Sequence, residues 1–165
     1  MTIGAFEGRD DVAGVTEHLD VPGIDVTVTD DIAQALWEKW AFIAAAGVAT
    51  CLFRNAVGDI VAAGGEGYIR SAIAETEAVA AAAGHAVSPA SHAQSIAMLT
   101  EPGSAFTSSL YRDLTAGAAT EGEHILGDLA ARAKVLSVPT PLLDLTLVQV
   151  RGAELARIRH SPSSA

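Results

Sequence analysis

The stretch from Asp30 to Arg54, DDIAQALWEKWAFIAAAGVATCLFR, limits what this chain can fold into more than any other. At about 100° per residue, Ile32, Leu36, Ile43, Ala46 and Gly47 fall on one stripe that Thr50 closes. That is the pattern of a long helix with a core-facing side. Lys39 falls in the middle of the stripe, one turn after Leu36 and one turn before Ile43. A lysine there has two options. It snorkels along the apolar wall to water, or it lines a cleft where lost hydration makes it a candidate catalytic amine.

The rest of the chain must close around this helix. With 165 residues it has the size of one domain, enough to bury about two thirds of its unfolded surface. Half the residues are hydrophobic, aromatics are only 5%, and alanine is abundant. This favours close-packed helices over a β-sandwich, so the expected fold class is mainly α. A formal charge of −10 and a pI near 4.7 exclude a nucleic-acid or anionic-membrane surface, since both need clustered Lys and Arg. The longest uncharged apolar run, Trp40 to Phe53, has fourteen residues, too few to span a bilayer, and no targeting segment is expected. The single cysteine, Cys51, excludes an internal disulfide and reads as a buried, inert thiol, which fits a reducing cytoplasm.

Residues 1–30 differ in character from the rest of the chain. Thr2 to Phe6 reads as a short strand, Asp11 to Leu19 as a short helix, and Ile24 to Val28 as an alternating strand behind the Pro22-Gly23 turn. Two such strands form at most a small pairing ribbon. After the long helix, Asn55 to Gly67 reads as a loop with an apolar turn at Ile60-Val61. No Lys-Ser/Thr comes after its Gly64-Gly65-Glu66-Gly67 cluster, which removes a phosphate-loop reading. A second helix is expected over Tyr68 to Gly84, with Ile69, Ile73, Ala74 and Ala80 inward and the Glu75–Glu77 edge toward solvent. A third is expected over Ser91 to Thr100, ended by Pro102-Gly103. A short helix through Leu114 comes next, capped by Ser108 or Ser109. Thr120-Glu121-Gly122-Glu123 has the form of a capping box and starts a helix at Glu121 that runs to about Leu136. Pro139 and Pro141 then permit a last helix over Leu142 to Arg159. The organisation expected is a linking segment over 1–30, one helical domain over 31–160 and a disordered tail over 161–165.

Five histidines at 18, 85, 92, 124 and 160 form no pair at metal-ligand spacing on one expected helix. Glu121-x-x-His124 is half of a dimetal carboxylate motif whose second copy is missing, so no metal site is expected. No Gly-x-Ser-x-Gly elbow marks a hydrolase.

Three stretches together resemble a known family. These are Asp30-Asp31-Ile32 with Leu36-Trp37-Glu38-Lys39-Trp40, then Ser108-Ser109-Leu110-Tyr111-Arg112-Asp113, then Thr120-Glu121-Gly122-Glu123-His124-Ile125-Leu126-Gly127. In order and spacing they resemble the C-terminal helical domain of ketopantoate reductases (2-dehydropantoate 2-reductases), over nearly the whole chain. The resemblance implies a helical bundle like the C-terminal domain of 6-phosphogluconate dehydrogenase, with residues 1–30 as a remnant from the nucleotide-binding side. It implies that Lys39 is the catalytic lysine, protonating the ketone oxygen of a 2-keto acid as hydride arrives from NADPH. It also implies that Ser109 holds the substrate carboxylate and that Glu121 organises the polar site. An ammonium that stabilises developing alkoxide, kept charged by a carboxylate, is sound chemistry for these residue types.

The departures from the family pattern are specific. Asparagines usual one and two turns after the lysine, and another shortly before the serine, are replaced by Ile43, Gly47 and Phe106. Losing three polar contacts turns the site away from a hydroxylated substrate. No Gly-x-Gly-x-x-Gly occurs in the sequence, so NADPH is not expected to bind this chain tightly, and a Rossmann domain in cis or in trans must complete the site. The isolated chain is expected to be inactive and to form a homodimer through its helical surfaces. The other reading is a non-catalytic dimerisation or ligand-binding module derived from the same family.

Overall fold

The computed structural model of the chain describes residues 2–5, 14, 18 and 25–160. Strands β1 (Thr2–Gly4) and β2 (Thr27–Thr29) pair in parallel, Thr2 opposite Thr27 and Gly4 opposite Thr29. The helices are α1 (Ile32–Phe53), α2 (Val57–Ala62), α3 (Glu66–Ala82), α4 (Pro89–Leu99) and α5 (Ser109–Thr115). A π-helical turn over Glu123–Gly127 then leads into α6 (Asp128–Val135), and α7 (Pro141–His160) is the last element. The mainly α expectation with a short β ribbon holds. The helix expected over Asp11 to Leu19 lies outside the described residues except for helical Gly14 and His18, and the tail over 161–165 lies outside them altogether.

Helix α1 is the axis of the domain, touching α2, α3, α4, α5, α7, the π turn and β1. Its first turn is capped by Asp31, whose carboxylate accepts the Gln34 amide at 2.9 Å. The expected one-sided stripe is not what the helix shows. Ala41 and every residue from Ala44 to Cys51 are buried, whereas Leu36 is 53% exposed and Ile43 only partly covered. The alanine-rich second half is enclosed on all sides because its neighbours approach closely, and a helix apolar all round is a core helix. By length and composition α1 is also apolar enough to cross a membrane, but half of that window is buried inside this domain.

Two buried clusters flank α1. One joins Ala44, Val48 and Cys51 to Leu110, Leu126, Leu129, Leu143 and Val150, and the other joins Ala45, Ala46 and Ala49 to Val57, Ile60, Ile69, Ile73 and Leu99. The second depends on α2, a segment that reads as loop from sequence. Six residues carry only a weak helical period, but Val57, Gly58 and Ile60 are buried. Gly58 is required there, since a Cβ would lie 2.4 Å from the Ser104 amide nitrogen and 2.5 Å from the Gly103 carbonyl carbon.

Along α3, Ile69, Ile73 and Ala80 are buried as expected, but Ala74 is exposed and Ala72 and Thr76 take its place inside. Glu75 is not a solvent edge either. It is partly buried and accepts the amides of Leu142 and Leu143 at 3.0 Å each, capping the start of α7 from another helix. Glu77 faces α4, where the ring of His92 meets its carboxylate at 2.8 Å.

Candidate active site

Lys39 is exposed on α1 and borders a groove at the same time, so it reaches water without leaving the cleft. It lies on the wall of a groove of about 250 Å³ shared with Thr2, Ala35, Glu38, Phe42, Ser91, Gln94, Ser95 and Met98. Glu38, its neighbour, has no mark in the sequence that sets it apart. Its carboxylate accepts from the Ser88 amide at 2.9 Å, the Ser91 hydroxyl at 2.6 Å and the Gln34 amide group at 3.2 Å. Partial burial alone would raise its pKa, but the Ser91, Ser88 and Gln34 donors outweigh that and bring it down to about 2. Glu38 is thus a fixed anion that ties the middle of α1 to the start of α4. The Ser-Pro cap at 88–89 is the sequence signal that a partner for this helix start is needed.

Glu121 is exposed at the opening of the next element. Its carbonyl accepts the Ile125 amide at 3.0 Å, and the backbone then widens into the π turn rather than the straight helix expected. The capping box forms only in part. Thr120 Oγ1 accepts the Gly122 amide at 3.3 Å, while Glu123 reaches outward to Arg151 in a bidentate pair at 2.6 and 2.8 Å. That pairing holds the Glu123 carboxyl below its ordinary range. Gly122 permits the tight start, because a Cβ there would come within 2.6 Å of Val150 Cγ1. The π turn leaves the Ile125 carbonyl to the Trp40 indole, which donates to it at 2.9 Å. Trp40 therefore locks the turn that comes after Glu121 onto α1, one residue from Lys39. Its other neighbours are Trp37, 5.0 Å between ring centroids, and the Arg132 guanidinium, 5.4 Å from the ring.

Ser108, not Ser109, caps α5: its hydroxyl accepts the Tyr111 amide at 3.0 Å and meets Thr50 Oγ1 at 2.7 Å. Ser109 is left exposed as the first residue of α5, free of any capping duty. The loop leading to it is pinned by α2, since the amides of Val57 and Gly58 donate to the Phe106 and Ser104 carbonyls at 3.0 and 2.8 Å. This sets Phe106 against Phe42, 6.4 Å between centroids. Gly47 is buried beneath Leu110 and Leu126 and does not border open space. Ile43 remains partly exposed on the Lys39 side of α1.

The three residues selected from sequence are thus all solvent-accessible, Lys39 on α1 itself, Ser109 on α5 and Glu121 at the opening of the π turn, both of which pack on α1. Among the described residues no ion pair or hydrogen bond joins Lys39 to Glu121 or Ser109, and they share no enclosed pocket. Among those residues no group of three or more His, Cys, Asp or Glu has a metal-holding arrangement. Cys51 is fully buried, and burial pushes its thiol up to about 11 despite the nearby hydroxyls of Ser108 and Thr50.

Comparison with known proteins identifies the family to which this fold belongs. The family described as ketopantoate reductase PanE/ApbA C terminal matches residues 31–154. A 2-dehydropantoate 2-reductase of Halobacterium salinarum is 32% identical over 158 residues, covering 93% of this chain and 51% of that protein. The uncharacterised oxidoreductase YkpB of Bacillus subtilis is 33% identical over 121 residues, covering 73% and 40%. The crystal structure of a 2-dehydropantoate 2-reductase from Methylococcus capsulatus superposes with a TM-score of 0.70 at 29% identity, covering 86% of this chain and 48% of that one. The chain spans about half the length of the curated relatives it matches.

Proposed function

This chain belongs to the ketopantoate reductase family as its C-terminal domain, and on that premise we propose that it supplies the proton-donating, substrate-holding half of a 2-keto acid reductase. The observation that carries the reading is the Trp40 to Ile125 hydrogen bond, which joins the helix of Lys39 to the turn that opens at Glu121. The Lys39 ammonium donates its proton to the ketone oxygen as negative charge develops there, and Glu121 contributes a carboxylate to the polar side of the completed site. Ser109, exposed and not engaged as a cap, donates its hydroxyl hydrogen to the substrate carboxylate.

The hydride comes from NADPH bound by a dinucleotide-binding half. Nothing in this sequence fits the cofactor's pyrophosphate, because no Gly-x-Gly-x-x-Gly turn comes after β1 or β2. That half closes over the open face of α1, completing a site that Lys39, Glu121 and Ser109 border from one side.

The substrate is less polar than ketopantoate. Ile43 and Phe106 stand where the family places asparagines; Phe42 lines the Lys39 groove, and Phe106 packs against Phe42. A site built without hydroxyl partners loses discrimination in favour of a hydroxylated acid. The test is a fusion of residues 31–165 to the nucleotide-binding half of the Halobacterium salinarum relative, assayed by NADPH oxidation. A kcat/KM higher for branched or aromatic 2-keto acids than for ketopantoate is expected. A preference for ketopantoate overturns the assignment of the substrate.

A further inference from the structure

The guanidinium of Arg132 is held in place without being neutralised. It lies 5.4 Å from the ring centroids of both Trp37 and Trp40, and His85 stacks on the Trp37 indole at 5.4 Å with 16° between the planes. Asp128 stands one turn before Arg132 on α6, the spacing that ordinarily closes an ion pair along a helix. Here the pair does not close. Among the described residues the side chain of neither takes part in an ion pair or a hydrogen bond, so the guanidinium rests on the indoles and its N–H edge has no acceptor. Both side chains border a groove of about 650 Å³ between the end of α3 and α6, whose other walls are Ala83, Ala131, Val135 and Leu136. Val135 is 84% exposed at its rim. This groove has no residue in common with the Lys39 groove, and Trp37 sits about 200° round α1 from Lys39.

We propose that this groove is a second ligand site, separate from the Lys39 groove, and that it takes a monocarboxylate with a small apolar body. The planar guanidinium offers parallel N–H donors that match the two oxygens of a carboxylate. Stacking on the indoles fixes that fork before the ligand arrives, so little side-chain freedom is lost on binding. The body of the ligand lies on Ala83, Ala131, Val135 and Leu136, none of which has a polar side-chain atom. Asp128 limits the charge. Its carboxylate beside the head tolerates one negative charge paired to Arg132 and repels a second, which disfavours phosphate. Trp37 and Trp40 are the two tryptophans of the chain, and both lie under this guanidinium, so the site carries its own fluorescent reporter.

The test is titration of the full chain with 4-methylpentanoate at fixed pH, followed by tryptophan emission and by calorimetry. This probe has no ketone and cannot be reduced at Lys39. Saturable binding with a Kd of roughly 0.1–2 mM is expected, and inorganic phosphate and the uncharged 4-methylpentanamide are each expected to bind at least tenfold more weakly. Arg132→Gln is expected to weaken binding of the carboxylate at least tenfold. Val135→Glu, at an exposed position outside the tryptophan–arginine cluster, is expected to do the same while leaving the unliganded emission spectrum and the circular dichroism unchanged. Lys39→Met is expected to bind as the wild type does. Absence of saturable binding by both methods up to about 20 mM overturns the proposal. So does phosphate or the amide binding as tightly as the carboxylate, or binding that is lost in Lys39→Met and kept in Val135→Glu.

Discussion

Glu38 offers a sharp test of how α1 is held to α4. Replacing it with glutamine keeps its size and one accepting oxygen, but removes the charge that gathers the Ser88 amide, the Ser91 hydroxyl and the Gln34 side chain. In the folded chain the carboxyl sits at about 2, below its ordinary 4.5. A group depressed in this way stabilises the fold fully above its ordinary value, and the contribution is lost as pH falls from about 4.5 towards 2. The gap corresponds to at most roughly 3 kcal/mol, and solvent screening along the open groove reduces it to about 1–2 kcal/mol. Urea unfolding monitored by the fluorescence of Trp37 and Trp40 measures it directly. At pH 7 Glu38→Gln is expected to be less stable by about 1–2 kcal/mol, and the difference is expected to shrink steadily between pH 5 and pH 2.5. Other acidic groups titrate equally in both proteins and cancel. A difference that stays constant over that range, or a variant as stable as the wild type at pH 7, refutes the reasoning.

Gly58→Ala is expected to lower the urea midpoint. The backbone at Gly103 and Ser104 cannot yield as a side chain would, so overpacking of ~1–3 kcal/mol outweighs the ~1 kcal/mol at most that alanine gains in a helix. Cys51 is expected to resist a thiol reagent such as Ellman's in the folded chain up to pH 9 and to react at once in guanidinium, because its thiol is buried and titrates at about 11. Rapid labelling of the folded chain would contradict that account of the core.

The long helices are legible in the sequence because burial leaves a period in them. The bounds of α1, α3, α4 and α7 fall within about two residues of the expected ones at most ends, a normal uncertainty for helix termini. The features that sequence leaves hidden come from tertiary contact. α2 is too short to show a period and is made helical by the cavity that Val57 and Ile60 fill. The π turn arises where Gly122 packs on Val150 and the Trp40 indole takes the Ile125 carbonyl, partners 28 and 85 residues away in sequence from the groups they meet. Glu75 and Glu38 both look like solvated helical carboxylates in the sequence, yet each caps a distant helix start, and only the fold brings those amides within reach. Of the candidate site, Lys39, Ser109 and Glu121 are legible through family resemblance, since an exposed lysine, serine or glutamate leaves no physical mark on a sequence pattern. The division of labour at α5, with Ser108 as the cap and Ser109 left over, becomes visible only in the structure.

Lys39 carries the central claim, and its rate contribution tests it most directly. In the fusion with a nucleotide-binding half, kcat for reduction of the best 2-keto acid is to be compared between wild type and Lys39→Met, with NADPH affinity measured on both by calorimetry. A lysine that protonates the ketone oxygen is expected to be worth roughly 10²–10⁴ in kcat, with the dissociation constant for NADPH unchanged within about twofold. A Lys39→Met protein that binds NADPH and reduces the keto acid at the wild-type rate would contradict the account.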